Sequence, residues 1–441
     1  MDKKPNHLGH WALTTALLSG LLLFVALGNL TLGTFSAGDI RFAIVGAWLT
    51  VALALVGLAL SVAGFFRKGE KKGLVGTACL ISVVFLLLAG TMGVAYRYMF
   101  GTLKQDETFE QEDLYIVTPQ EDGEIDLTPV PPETTLPPEE VKKKMQILEL
   151  EYLVNEDIPE YVLSYMDRYD PVCYSVLQPE AEQVRNYLLF GLDDYNSSDS
   201  VVLVSLDSLH KKVKMFSLPR DSYVLIPEWG TYTKLTYAYS TGGPTMAVGT
   251  VNYNLSLNVR DYVSLKFDEV EQLIDLVGGV TVNMGYAEWE YMTECKVQGL
   301  NVGPCHLDGK TAVFYMRLRE TDSELRRMER QREVLYALYE AAMQLPVEKY
   351  PELVRSGMEM CTTSLDSYSL LSLLLEAVQG GYSLKQYGML DLIEYWGGSF
   401  NDQGAFYVVY DLDYASDTLY RLIYEDYYTS GYSDIDQQKE G

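Results

Sequence analysis

The chain has 441 residues and a formal net charge of −27, a length that leaves room for a membrane region beside a sizeable folded core. An acidic surface repels the phosphate backbone that dominates nucleic-acid binding, so nucleic acid is excluded as a partner and any anionic ligand must be met at a local basic patch. Five cysteines, none in CxxC spacing, exclude a disulfide framework or a structural zinc site as the organiser of the fold. Cys295 and Cys305, around a loop containing Gly303 and Pro304, would either close a small bridge or stay as two free thiols.

Three apolar runs fill the start of the chain (residues 1–100), at about Trp11 to Leu32, Ile40 to Phe66 and Leu74 to Phe100. Each reaches the roughly 20 residues needed to cross a bilayer. A cleaved signal peptide accounts for the first run at most. Lys3 and Lys4 precede that run, and Arg67, Lys68, Lys71 and Lys72 crowd the loop between the second and third. Basic residues mark the cytoplasmic side, so three crossings put the N-terminus inside and everything after Phe100 outside.

Residues 101–140 hold twelve acidic residues, one lysine and six prolines, the composition of a solvated, partly extended spacer. Over residues 141–178, Val141, Met145, Leu148 and Tyr152 share one helical face. That face suits a stalk helix, a docking helix or part of the next domain. From about residue 179 to 427 the pattern becomes α/β. Val184 to Leu192, Val201 to Leu206 and Val213 to Leu218 are short, branched apolar runs of the kind that form buried strands. Gly242-Gly243-Pro244 stops one element and opens a helix, and a strand follows at Tyr262 to Phe267. Asp268 is placed to cap the next helix, whose apolar face is Val270, Leu273, Ile274 and Val277 and which ends at Gly278-Gly279 before a strand at Val280 to Val282. Ala405 to Tyr410 and Leu419 to Tyr424 give a closing strand and helix, and residues 428–441 a polar tail.

Candidate functional residues stand at the ends of these elements, where α/β sheets carry their chemistry. Asp193 and Asp194 follow the first strand and Asp199 precedes the second; two carboxylates there would hold a hard divalent cation, or simply build an Asx-rich turn. Arg220 and Asp221 follow the third strand. The densest signal is basic: Arg317, Arg319, Arg326, Arg327, Arg330 and Arg332 fall within one short stretch. Arginine forks bind phosphate oxygens bidentately, whereas interleaved Glu324, Glu329 and Glu333 also suit a solvated helix. Helical spacing puts Arg327, Arg330 and Gln331 on one face and turns Arg332 and Glu329 elsewhere.

Phe190-Gly191-Leu192-Asp193, Ser198-Asp199-Ser200, Ser217-Leu218-Pro219-Arg220-Asp221, Lys234-Leu235-Thr236-Tyr237-Ala238-Tyr239, Gly242-Gly243-Pro244, Asp261-Tyr262-Val263, Leu276-Val277-Gly278-Gly279-Val280, Leu307-Asp308-Gly309, Arg317-Leu318-Arg319 and Arg327-Met328-Glu329-Arg330-Gln331 occur in that order. Each is weak alone, but the ordered set resembles the LytR-CpsA-Psr (LCP) family of bacterial cell-wall assembly enzymes. The resemblance implies an extracellular α/β/α domain with a central mixed sheet, carried on the membrane helices. It implies an enzyme that moves a teichoic acid or capsular polysaccharide from a polyprenyl diphosphate carrier to peptidoglycan by metal-assisted phosphoryl transfer. It places Arg220, Arg317, Arg319 and Arg327 as catalytic groups, Lys234, Asp221, Glu324, Arg330 and Gln331 around the diphosphate, and Asp193 and Asp199 near Mg²⁺ (or Mn²⁺). Three departures stand out. Glu324 replaces the usual aspartate three places before Arg327, with Asp322 as an alternative, in a stretch from Arg319 to Arg327 that is about two residues short; three apolar runs replace a single anchor; and the acidic spacer is not part of the family's pattern. The rival readings are a non-enzymatic membrane regulator, indifferent to the arginines, and a polyprenyl-diphosphate hydrolase with water as acceptor.

Overall fold

A computed structural model describes residues 8–32, 37–67, 71–106, 108–109, 114, 184–319, 324–399 and 405–424. The expected helical face at 141–152, the stalk region, Asp322, the side chain of Glu324 and the polar tail lie outside the described residues. The chain divides into two units, residues 1–103 with 365–380, and the remainder.

The first unit contains helices α1 (Leu8–Leu32), α2 (Ala37–Phe66) and α3 (Lys72–Phe100). Ile44–Phe66 and Lys72–Tyr98 are long and apolar enough to cross a membrane, while the apolar stretch of the first helix, His10–Leu23, is shorter among the described residues. Small residues close the helix contacts: Ala12, Ala16, Ala54 and Ala78 are fully buried while Trp11, Leu21, Trp48 and Leu87 point outward, the pattern of helices packed by close backbone approach within an apolar surround. A helix from far along the chain, Ser367–Gln379, belongs to this unit; the Tyr96 hydroxyl bonds Ser367 Oγ, and the Tyr96 and Tyr368 rings lie 6.2 Å apart.

In the second unit the strands are β1 (Lys104–Gln105), β2 (Val184–Leu192), β3 (Ser198–Asp207), β4 (Lys212–Leu218), β5 (Tyr223–Ile226), β6 (Thr231–Lys234), β7 (Asp261–Lys266), β8 (Val280–Met284), β9 (Gly303–Leu307), β10 (Thr362–Thr363), β11 (Ser383–Gly388), β12 (Tyr395–Ser399) and β13 (Phe406–Tyr410). A seven-stranded mixed sheet runs in the order β1-β10-β7-β2-β3-β4-β11, with β2 parallel to β7 and antiparallel to β3, and β4 parallel to β11. Hairpins β5-β6, β8-β9 and β12-β13 stand apart from it. The helices are α4 (Leu235–Leu255), α5 (Phe267–Leu276), α6 (Tyr286–Glu294), α7 (Gly309–Arg317), α8 (Glu324–Met343), α9 (Tyr350–Met360), α10 (Ser367–Gln379, in the first unit), α11 (Met389–Leu392) and α12 (Leu412–Tyr424).

Two apolar clusters hold these layers. In one, Leu188, Phe190, Leu203 and Phe216 of the sheet meet Ala238, Val248 and Val251 of α4 and Leu419 of α12; in the other, Val270 and Ile274 of α5 meet the β8-β9 hairpin, α7 and Val334 of α8. Burial of such side chains contributes about 1.5–3 kcal/mol each. Helix α4 bends at Gly243, whose φ of 69° is open to glycine at little steric cost; the Gly-Gly-Pro segment thus ends one helical piece and starts another. Asp268 lies in the first turn of α5 and Lys266 is the cap residue, its N–H donating to Glu269 Oε2 at 2.7 Å. The capping role expected of Asp268 therefore falls to Glu269, because the cap lies two residues earlier, at Lys266, and the helix starts at Phe267. Cys295 and Cys305 are free thiols, one exposed and one buried.

The acidic segment after α3 is not wholly a solvated spacer. Its first residues form β1, which pairs with β10, and the Asp106 N–H donates to the Thr363 carbonyl at 2.7 Å. Tyr262 donates to Asp106 Oδ2 at 2.6 Å, the Phe109 ring lies 5.0 Å from that of Tyr262, and Leu114 is fully buried with its carbonyl accepting from Asn252 Nδ2 at 2.9 Å. Two apolar side chains in an acidic stretch gain more from the core than the charges around them lose by approaching it.

Candidate functional site

The site begins where β4 ends. Pro219 turns the chain, and the next residues are pinned by three backbone bonds from two other elements, α4 and β13: Thr236 N donates to Arg220 O (2.9 Å), Leu235 N to Ser222 O (3.0 Å) and Val408 N to Asp221 O (2.9 Å). The Ser222 hydroxyl donates to Pro219 O at 2.7 Å and accepts from Tyr410 at 3.0 Å. Thr236 Oγ1 reaches the Ser198 carbonyl at 3.1 Å, tying the start of α4 to the start of β3. Rigid elements therefore fix the backbone that carries Asp199, Arg220, Asp221 and Lys234.

Their side chains form one network. Arg220 Nη1 bonds Asp199 Oδ1, while its Nε lies 3.4 Å from Asp221 Oδ2. Lys234 Nζ donates to Asp221 Oδ1 at 2.7 Å and stands 5.4 Å from the Tyr407 ring centroid. Arg319 Nη2 lies 3.6 Å from Asp199 Oδ2. Three cations thus surround two carboxylates that are almost wholly out of water, where an unpartnered charge would be costly. The set carries one net positive charge. Arg319 is about half exposed and is the member open to an arriving anion. Burial pushes the Tyr237 hydroxyl above its ordinary pKa, and Asp221 raises it further against the pull of Arg220. Burial likewise raises Tyr407, with Tyr237 and Asp221 adding to it. Both phenols stay neutral donors over physiological pH.

Structure sorts the arginine-rich stretch by burial. Arg317 is exposed at the last turn of α7, its guanidinium 4.9 Å from the Phe267 ring centroid. Arg327 and Gln331, one turn apart on α8, are buried. Arg330 is buried too, donating to Glu288 Oε1 at 3.2 Å and to the Leu318 carbonyl at 2.8 Å. That places it behind the Arg317-Leu318-Arg319 segment, supporting it. Arg326 is exposed and pairs with Glu329 and, at 3.6 Å, with Glu288. Arg332 points away to Asp391, 3.6 Å distant, and burial lowers its pKa.

Asp193 follows a β-bulge at Gly191/Leu192. Its Oδ1 accepts from Tyr195 N (2.9 Å) and Ser197 N (2.8 Å), an Asx turn, while Asp194 is exposed. The Asp193 and Asp199 N–H groups both donate to the Ser197 carbonyl at 3.0 Å, so one short turn carries both residues. No group of three or more His, Cys, Asp or Glu side chains suited to a metal occurs among the described residues. Asp193 Oδ1 is taken by backbone N–H groups and Asp199 by Arg220 and Arg319, so a cation at this pair would have to draw most of its shell from phosphate oxygens and water rather than from a closed protein cage.

Sequence reasoning missed Tyr407, which arrives from β13, and Glu288, on the largely polar helix α6. Neither stands in a motif that would have marked it.

The LytR_cpsA_psr family model matches residues 164–388. The chain belongs to that family. It is 36% identical over 204 residues to the polyisoprenyl-teichoic acid–peptidoglycan teichoic acid transferase TagU of Oceanobacillus iheyensis, covering 43% of this chain and 61% of the relative. It is 30% identical over 218 residues to TagV of Bacillus subtilis, which bears the same transferase description, covering 46% and 55%. The matched region is thus less than two thirds of either relative's length. A solved structure described as TagT bound to LIIa-WTA is 27% identical, covers 54% of this chain and 91% of that one, and superposes with a TM-score of 0.47.

Proposed function

We propose that the chain is a membrane-anchored phosphotransferase that moves an anionic glycopolymer, a teichoic acid or capsular polysaccharide, from a polyprenyl diphosphate carrier to peptidoglycan. The observation that carries this reading is the Arg220, Lys234 and Arg319 network around Asp199 and Asp221: preorganised cations at one end of a sheet, in a family whose curated relatives are described as teichoic acid transferases. In the reaction, a peptidoglycan hydroxyl attacks the phosphorus that bears the glycan. A new P–O bond forms as the bond to the bridging oxygen breaks; polyprenyl monophosphate leaves and the hydroxyl proton passes to a carboxylate. Negative charge spreads over the transferring phosphate, and fixed arginines stabilise it without reorganising. Asp193 and Asp199 would hold Mg²⁺ or Mn²⁺, whose charge, when bound, offsets that of the diphosphate. Three N-terminal helices spanning the membrane, with the basic loop Arg67 to Lys72 inside, hold the domain on the outer face where the lipid carrier presents its headgroup.

The test is transfer from a labelled polyprenyl-diphosphate glycan to peptidoglycan fragments by the full chain in nanodiscs, with Mg²⁺. Arg220→Ala and Arg317→Ala should each lose about 10² or more in rate. Undiminished transfer by either overturns its role, and glycan release without acceptor identifies a hydrolase instead.

A further inference from the structure

We infer that Glu288 is a positioning residue for the phosphate-binding segment Arg317-Leu318-Arg319, acting through Arg330; this deepens, and rests on, the transferase reading. Helix α7 ends at Arg317, and Leu318 leaves it with φ −56° and ψ 134°. The Leu318 side chain is 1% exposed in the second apolar cluster, and its carbonyl, beyond the reach of the helix ladder, accepts from Arg330 Nη2 at 2.8 Å. Both handles of Leu318 are therefore held from inside, and this sets where the flanking Arg317 and Arg319 project, the second toward Asp199.

Arg330 is itself 2% exposed, so its charge needs a partner. Glu288, 3% exposed, supplies it at 3.2 Å through the other terminal nitrogen. The guanidinium thus works as a fork, one prong on the carboxylate and one on the carbonyl, a span that the point charge of a lysine does not reproduce. The fold reserves space for this carboxylate: a Cβ on Gly285, the cap residue of α6, would lie 2.3 Å from Glu288 Oε2. The charges that face Glu288 are Arg330 and, from the surface, Arg326 at 3.6 Å. Glu288 touches none of the network around Asp199; its effect on the site runs through one carbonyl.

The experiment is a double-mutant cycle on the full chain in nanodiscs, reading affinity for a polyprenyl diphosphate, with thermal midpoints measured alongside. Glu288→Gln and Arg330→Lys should each weaken binding about tenfold, and Arg326→Ala should leave it unchanged. In a background carrying both Arg317→Ala and Arg319→Ala, Glu288→Gln should cost less than about twofold more, because the arginines it positions are already gone. Amide exchange at Arg319 should quicken in Glu288→Gln. Binding like the unsubstituted protein, losses that multiply across the cycle, or unaltered exchange at Arg319 overturns the inference. If the unsubstituted protein binds no polyprenyl diphosphate, the transferase reading falls, and the exchange measurement still decides what Glu288 does.

Discussion

Asp221→Asn separates what the site needs when empty from what it needs when occupied. The Asp221 carboxylate is 7% exposed and takes Lys234 at 2.7 Å and Arg220 at 3.4 Å. Substituting the amide keeps the shape and removes the charge between two cations. At an effective dielectric of about 20, a pair some 3 Å apart is worth roughly 5 kcal/mol before desolvation, and stripping one partner from a buried pair typically costs about 3–5 kcal/mol. Lys234 and Arg220 keep 12% and 20% of their side chains in contact with water, and Arg220 keeps Asp199, so about 2–3 kcal/mol is the expected loss. At about 2–4 °C per kcal/mol for a domain of this size, the melting midpoint of the ligand-free protein should fall by about 5–10 °C. A bound diphosphate replaces the missing negative charge, so ligand should raise the midpoint of Asp221→Asn further than that of the unsubstituted protein. The assay is thermal unfolding of the full chain in nanodiscs with and without a polyprenyl diphosphate. An unchanged midpoint, or a deficit of equal size in both conditions, refutes the picture of paired cations awaiting an anion.

Leu114→Ala should destabilise the second unit by about 2–3 kcal/mol, the lower part of the range for buried leucine, measured by chemical denaturation; a solvated linker would give no change. Asp308 accepts from Thr311 N at 2.9 Å as the cap of α7, and the bonds from Thr311 hold its carboxyl below the ordinary range. Because its folded pKa is depressed, the stabilisation is present above the ordinary value of 3.8 and lost as pH falls through the lower folded one; Asp308→Ala should cost about 1 kcal/mol at pH 7 and little at pH 2, by denaturation at both. Under native alkylation with mass readout, Cys295 should react first among the cysteines of the described residues, while Cys305, fully buried, and Cys361, buried and with its pKa pushed up to about 11 by burial, resist.

The central strands were legible because β2, β3 and β4 are short runs, apolar over most of their length and largely buried, and their ends carry the site. The two-residue strands β1 and β10 leave no period to detect, so the docking of the acidic segment, through Leu114 and Asp106, was hidden by the composition around it. Helix α10 was equally hidden, since its thirteen Leu- and Ser-rich residues carry no motif and only packing groups them with α1, α2 and α3. At the site, Arg220 beside Asp221 was a weak signal alone. Charge and spacing could nominate Arg319, Arg327 and Arg330 together, but spacing cannot separate an arginine that faces an open site from one that braces a loop. Burial does so: Arg319 is half exposed beside Asp199, while Arg330 is enclosed by Glu288 and a carbonyl.

The electrostatics of the chain make sense of that division. A protein with a formal charge of −27 repels an anionic polymer in general, but exposed charges are screened beyond about 8 Å at physiological ionic strength. Attraction must therefore act at contact range, from cations held in place before the ligand arrives. Holding them carries its own difficulty, since Arg220 and Lys234 lie close together in a largely dry pocket. Asp199 and Asp221 offset it by standing between the cations, which leaves one net positive charge on the set, the sign that the proposed diphosphate ligand requires. Arg330 and Glu288 brace Leu318 from behind, so that the half-exposed Arg319 beside Asp199 is held by an arginine that is itself enclosed.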